Sequence, residues 1–193
     1  VQEACKNVRN HLKLRNKDDK LQDCKYFLPQ KAPGPMTTDY RAEIDVSPEL
    51  NATDAAYYQS LIGVVRWMVE LGRVDICTEV SMLSSCLALP REGHLLQLFR
   101  MFSYLEKQHN CEMVFDHTVP DIDKADFPKE NWDNTVYANE RGELKEDVPT
   151  NLPTPLGKGF TMRVYVDSDH AGDQVTRRSR TGFLVFLNNA LIY

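Results

Sequence analysis

The sequence lacks a long apolar run, a Cys-x-x-Cys pair and any excess of positive charge. A membrane-spanning helix needs about 20 consecutive apolar residues. No stretch approaches that length, so no membrane partner is expected. No short apolar core with a small-residue cleavage site stands at the N-terminus, so no secretory signal is read. The five cysteines (Cys5, Cys24, Cys77, Cys86, Cys111) are odd in number and widely spaced. That pattern suits reduced intracellular thiols, in cytoplasm or nucleus, better than disulfides or a zinc site. Asn51-Ala52-Thr53 is by the same logic a chance sequon. A net charge of −5 argues against a dedicated nucleic-acid coat. Gly157-Lys158-Gly159 is no phosphate loop, because a strand follows it rather than a helix N-terminus. His170 beside Asp169, and Cys111 near His109, have no motif-marked nucleophile or third partner. A nucleophilic hydrolase therefore fits poorly.

The chain does have an ordinary globular balance, 42% hydrophobic and 26% charged over 193 residues, enough for one or two cores. It opens on Val1 rather than Met, which reads as a start inside a longer reading frame. Charge is uneven. Residues 1–31 carry eight Lys or Arg against four acids, and residues 112–147 carry eleven acids against four bases. So dilute a scatter reads as solvated surface.

Residues 1–53 read as an extended, irregular lead-in. Val8, Leu12 and Leu14 permit a short helix, which Asn16-Lys17-Asp18-Asp19-Lys20 should break. Pro29, Pro33, Gly34 and Pro35 then keep the chain extended to about Pro48. Asp18-Asp19 is an adjacent acid pair, as polymerases use for metal, but it lies between lysines in a polar stretch and reads as a solvated loop. Residues 54–110 carry three amphipathic stripes that predict a small helical bundle. The first holds Tyr58, Leu61, Ile62, Val65, Met68 and Val69, with Thr53 or Asp54 as N-cap and Gly72 as its end. The second holds Ile76, Val80, Leu83 and Leu87 behind an Asp75 cap. Pro90 opens the third, with Leu95, Leu98, Phe99, Phe102 and Leu105. Residues 111–160 are rich in acids, Pro and Gly without sustained period, and read as a long irregular linker.

Residues 161–193 are the most informative. Arg163-Val164-Tyr165-Val166-Asp167 alternates like a strand and delivers a carboxylate at its end, with Tyr165 and Asp167 on one face. A turn with Asp169, Gly172 and Asp173 follows, then a basic stretch, Thr176-Arg177-Arg178-Ser179-Arg180-Thr181-Gly182. A second apolar strand begins at Phe183, and the chain stops at Leu191-Ile192-Tyr193, where a third should start. Read alone, Asp167 is a strand-end turn former. Asp169 and Asp173 suit local backbone hydrogen bonds, and a basic turn is solvated.

This wording closely resembles the opening of the ribonuclease H domain in copia-type LTR retrotransposon polyproteins. The upstream segments Tyr57-Tyr58-Gln59-Ser60-Leu61-Ile62-Gly63, Arg73-Val74-Asp75-Ile76, Leu89-Pro90-Arg91-Glu92-Gly93-His94-Leu95 and Tyr104-Leu105 resemble the thumb and connection that follow the polymerase palm in that family. The two sets stand in the family's order and cover about residues 40–193. The resemblance implies an α+β chain: a small helical bundle, a long irregular linker, and an incomplete ribonuclease H-like antiparallel hairpin or sheet. It implies that Asp167 is the first metal ligand of a two-Mg²⁺ hydrolytic site. The remaining acids would lie beyond the third strand. Arg177, Arg178 and Arg180 would touch an RNA–DNA hybrid, since guanidinium grips phosphate bidentately. The parent would be an RNA-directed DNA polymerase with ribonuclease H, serving DNA integration by transposition. This piece, lacking the palm and the other acids, should be inactive alone. Its partners would be the rest of the polyprotein and, through the truncated sheet, other copies of itself. The alternative is a host-retained, non-enzymatic binding or scaffold protein that uses the helical unit.

Overall fold

The computed structural model describes residues 1–18, 26–110, 113–122, 150–151, 153 and 159–192. Most of the expected linker, and Asp19, Cys24 and Cys111, lie outside them. The described residues form an α+β protein with four α-helices and one three-stranded antiparallel open sheet. Among them, no helix is long and apolar enough to cross a membrane. The chain divides into two compact units: Val1–Met113 with Ser168–Arg180, and Val114–Asp167 with Thr181–Tyr193.

The first unit differs from expectation at its start. Helix α1 runs Gln2–Asp18, longer than the short helix expected, and includes the first three residues of the Asn16–Lys20 stretch expected to break it. Asn, Lys and Asp carry only modest helix penalties. Cys5, Val8 and Leu12 meanwhile fall on one face and are buried. They join the same core as the later helices, and α1 packs on α4 (Glu92–Lys107). One turn on, Arg15 forks onto Asp54, with Nη1 2.5 Å from Oδ1 and Nη2 3.0 Å from Oδ2. The lead-in is thus a core helix followed by an extended stretch. That stretch holds one 3-10 turn, Ala42–Ile44. Its carbonyls are claimed by α4: Ser103 Oγ donates to Pro29 O at 2.6 Å, and Lys107 Nζ donates to Gln30 O.

Helix α2 spans Ala52–Glu70. Its N-cap is Asn51, not Thr53 or Asp54 as expected, and the Asn51 Oδ1 accepts from Asp54 N at 2.9 Å. The expected stripe is buried at Tyr58, Leu61, Ile62, Val65 and Met68, while Val69 is partly buried. Gly72, at φ +104°, lets the chain leave the helix while its N–H bonds Val69 O at 2.9 Å. A 3-10 turn, Val74–Ile76, leads into α3, Cys77–Ser84. Asp75 does not cap α3, because its carboxylate is held elsewhere (below). α4 follows Pro90, with Arg91 at the N-cap, and buries Leu95, Leu98, Phe99, Met101, Phe102 and Leu105.

In the second unit, β1 (Met162–Ser168), β2 (Thr181–Leu187) and β3 (Ala190–Leu191) form the sheet in the order β1-β2-β3. β2 and β3 pair antiparallel, Phe186 opposite Leu191 and Leu187 opposite Ala190. Asn188, between them, takes φ +53°, a region Asn tolerates.

Candidate functional site

Asp167 sits exposed at the end of β1. The two-residue strand period puts Arg163 and Tyr165 on its face. The Tyr165 ring meets Phe186 edge-on, centroids 5.7 Å apart at 85°. The Arg163 guanidinium lies 5.3 Å over the Phe186 ring and donates to Asn188 O at 2.9 Å and Asn189 Oδ1 at 3.0 Å. Beside Asp167, Gly182 of β2 brings no side chain, and a Cβ there would lie 4.0 Å from the Asp167 carbonyl. The carboxylate is therefore open on a face whose neighbours are fixed by stacking. Arg163 was not singled out from the sequence, although its place two and four residues before Tyr165 and Asp167 was the signal.

The connection after β1 is folded by its own acids. Asp169 pairs twice with Arg180: its N–H donates to Arg180 O at 3.0 Å, and its Oδ1 accepts from Arg180 N. Asp173 Oδ1 accepts from Val175 N at 3.0 Å and Thr176 N at 2.7 Å. These bonds, Thr176 foremost, hold the Asp173 carboxyl below the ordinary range. Arg177 and Arg178 are exposed and Arg180 is half-buried.

The described residues do not supply a two-metal site. Among them, no group of three or more His, Cys, Asp or Glu side chains comes together. Asp169 and Asp173 each give an oxygen to backbone amides, which leaves Asp167 as a single carboxylate. Two octahedral Mg²⁺ ions need several converging oxygens, more than Asp167 offers among the described residues. Burial pushes the Cys5 and Cys86 sulfhydryls up, away from the reactive thiolate.

The upstream motif residues have packing roles. Tyr58 Oη donates to Leu83 O at 2.7 Å, joining α2 to α3, and Gln59 Nε2 reaches Leu87 O at 3.1 Å. Arg73, almost fully buried, clasps Asp75 through Nε at 2.8 Å and Nη2 at 2.7 Å. Tyr104 Oη adds a third bond to Asp75 at 3.1 Å. At the start of α4, Arg91 N donates to His94 Nδ1 at 3.0 Å, and His94 Nε2 lies 2.9 Å from Ala42 O. A ring that accepts at Nδ1 must donate at Nε2, so the geometry requires neutral His94 with its proton on Nε2. Gly93 N donates to Ser47 Oγ at 2.8 Å, and Arg91 Nη1 donates to Ser47 O at 2.6 Å. Asp45 takes bonds from Ser47 and from Tyr40 Oη. Burial alone would raise the Asp45 carboxyl, but these bonds hold it below the ordinary range.

No protein-family model matches the chain, and no curated protein or solved structure gives a significant match to it.

Proposed function

We propose that this chain is a segment of a copia-type retrotransposon polyprotein, joining thumb-and-connection helices to the opening strands of ribonuclease H. The observation that carries the reading is the order along the chain. A helical unit comes first, then an exposed strand-end Asp167, an arginine-bearing connection and an antiparallel β1-β2-β3 sheet. In this reading Asp167 is the first metal ligand of the parent enzyme. Arg177, Arg178 and Arg180 approach the phosphates of an RNA–DNA hybrid, and the parent copies RNA into DNA for integration. The Mg²⁺ ions of the parent would activate the attacking water and stabilise the leaving oxygen. The segment alone, with one such carboxylate, does not catalyse. The test is to read the frame flanking the gene segment. A downstream helix bearing a Glu, followed by an Asp-bearing strand, supports the proposal. A frame without them contradicts it.

One observation favours a second reading, a retained non-enzymatic scaffold. Val64, Trp67 and Leu71, spaced three and four apart along α2 and its end, are exposed, Trp67 by 65%. Such a stripe is how a helix presents itself to a partner. A stop codon after Tyr193, with steady expression of the short form, would favour it.

A further inference from the structure

We infer that Asp173 and Asp169 are positioning residues that preset the β1–β2 connection so that Arg177 and Arg178 are presented in one geometry before any ligand arrives. This rests on reading that connection as a hybrid contact.

The argument starts from the backbone. Arg177 stands at φ +56° and Ala171 at φ +54°, in the left-handed region that side chains disfavour. Such residues persist only where their surroundings over-determine them. Here Asp173 does so from both sides. Its carbonyl accepts from Arg177 N at 2.9 Å, and its N–H donates to Arg178 O at 3.2 Å. Its carboxylate meanwhile ties down Val175 and Thr176, the two residues before Arg177.

Asp169 closes the other end. It bonds Arg180 through main chain and side chain, and Ser179 Oγ accepts from Ala171 N at 3.0 Å. Gly172 is part of the lock. A Cβ there would lie 1.8 Å from Asp169 Oδ2, so only glycine lets that carboxylate lie where it does. Each acid thus gives its Oδ1 to the loop itself, and Arg177 and Arg178 stay exposed. Phosphate contacts gain affinity when the donors are already ordered.

The test uses the full 193-residue chain, a short RNA–DNA hybrid duplex as probe, and amide NMR spectra of the connection. Asp173→Ala and Asp173→Asn remove the same charge, but only Asn keeps an acceptor at Oδ1. Removing a negative charge alone would tighten binding to phosphate in both. The expectation is that Asp173→Ala disorders the amides of residues 175–178 and weakens hybrid binding about fivefold. Asp173→Asn should keep the spectrum and bind as tightly as the parent or tighter. Gly172→Ala, which changes no charge, should weaken binding like Asp173→Ala while the helical unit keeps its thermal midpoint. Equal behaviour of the Ala and Asn variants, or unchanged amide spectra in Asp173→Ala and Gly172→Ala, overturns the inference. The underlying reading is judged separately. The Arg177→Ala, Arg178→Ala double variant should lower the salt slope of binding by about 1 to 2. If it changes neither slope nor affinity, the hybrid contact is wrong, and the spectra of Asp173→Ala still decide whether the acids preset the loop.

Discussion

Gly93 and Asp45 share a space that no other residue at position 93 could leave free. A Cβ on Gly93 would lie 1.8 Å from Asp45 Oδ2. Asp45 in turn holds Tyr40 and Ser47, and Ser47 bonds Gly93 N. The extended stretch before α2 is pinned to the start of α4 through this contact. Gly93→Ala should therefore destabilise the chain by about 1–3 kcal/mol. Gly63, exposed in mid-α2 with nothing within 4 Å of its would-be Cβ, is the control. Gly63→Ala should stabilise by about 0.5–1 kcal/mol through helix propensity. Denaturant unfolding of the two variants checks both signs.

Arg73 and Asp75 form a largely buried ion pair in the helical unit, with side chains 7% and 24% exposed. Removing the carboxylate in Asp75→Ala takes two bonds from the buried guanidinium and one from the Tyr104 hydroxyl. The cost should be about 3 kcal/mol. A loss below about 1 kcal/mol by equilibrium unfolding would mean that the pair contributes little.

The same pair sets an acid limb. The Arg73 hydrogen bond holds the Asp75 carboxyl below its ordinary value, against the opposing effect of burial. A carboxyl depressed in the folded state contributes stability that is present above the unfolded pKa, near 3.9. That contribution is lost as pH falls through the lower folded pKa. Stability should thus decline below about pH 4, and decline less in Asp75→Asn. Unfolding midpoints at a series of pH values give the two slopes, and parallel slopes would contradict the assignment.

Much of the helical unit was legible because its stripes are long and periodic. Leu95, Leu98, Phe99, Phe102 and Leu105 repeat at helical spacing, and all are buried. Helix α1 was less legible. Its three buried positions, Cys5, Val8 and Leu12, are few, and their burial depends on α4, about 90 residues away by sequence numbering. Asp75 shows another limit. An acid just before an apolar stripe looks like a cap, and only the tertiary fold brings Arg73 and Tyr104 to claim it. At the candidate site, Asp167 and the arginines were singled out by the resemblance, since their residue pattern alone reads as a strand end and a solvated turn. The hold of Asp169 and Asp173 on the loop needed left-handed backbone angles that one-letter order does not carry.

The sheet makes a further prediction. Val164 and Val166 on one face of β1, and Phe183 of β2, are exposed, Val166 by 67%. An open sheet with apolar exposed residues invites edge-to-edge or face-to-face pairing. Sedimentation should show concentration-dependent self-association that falls in Val166→Lys and on deletion of residues 160–193. A single monomeric species at every concentration would contradict it.

The most direct measurement joins the chain to whatever its reading frame encodes downstream, and asks whether the product cuts the RNA strand of an RNA–DNA hybrid with Mg²⁺. The account predicts cleavage by the extended chain, loss of that cleavage in Asp167→Asn, and none from the 193 residues alone. Cleavage that survives Asp167→Asn, or an extended chain that folds and binds hybrid yet never cuts, would contradict the assignment of Asp167 and the polyprotein reading with it.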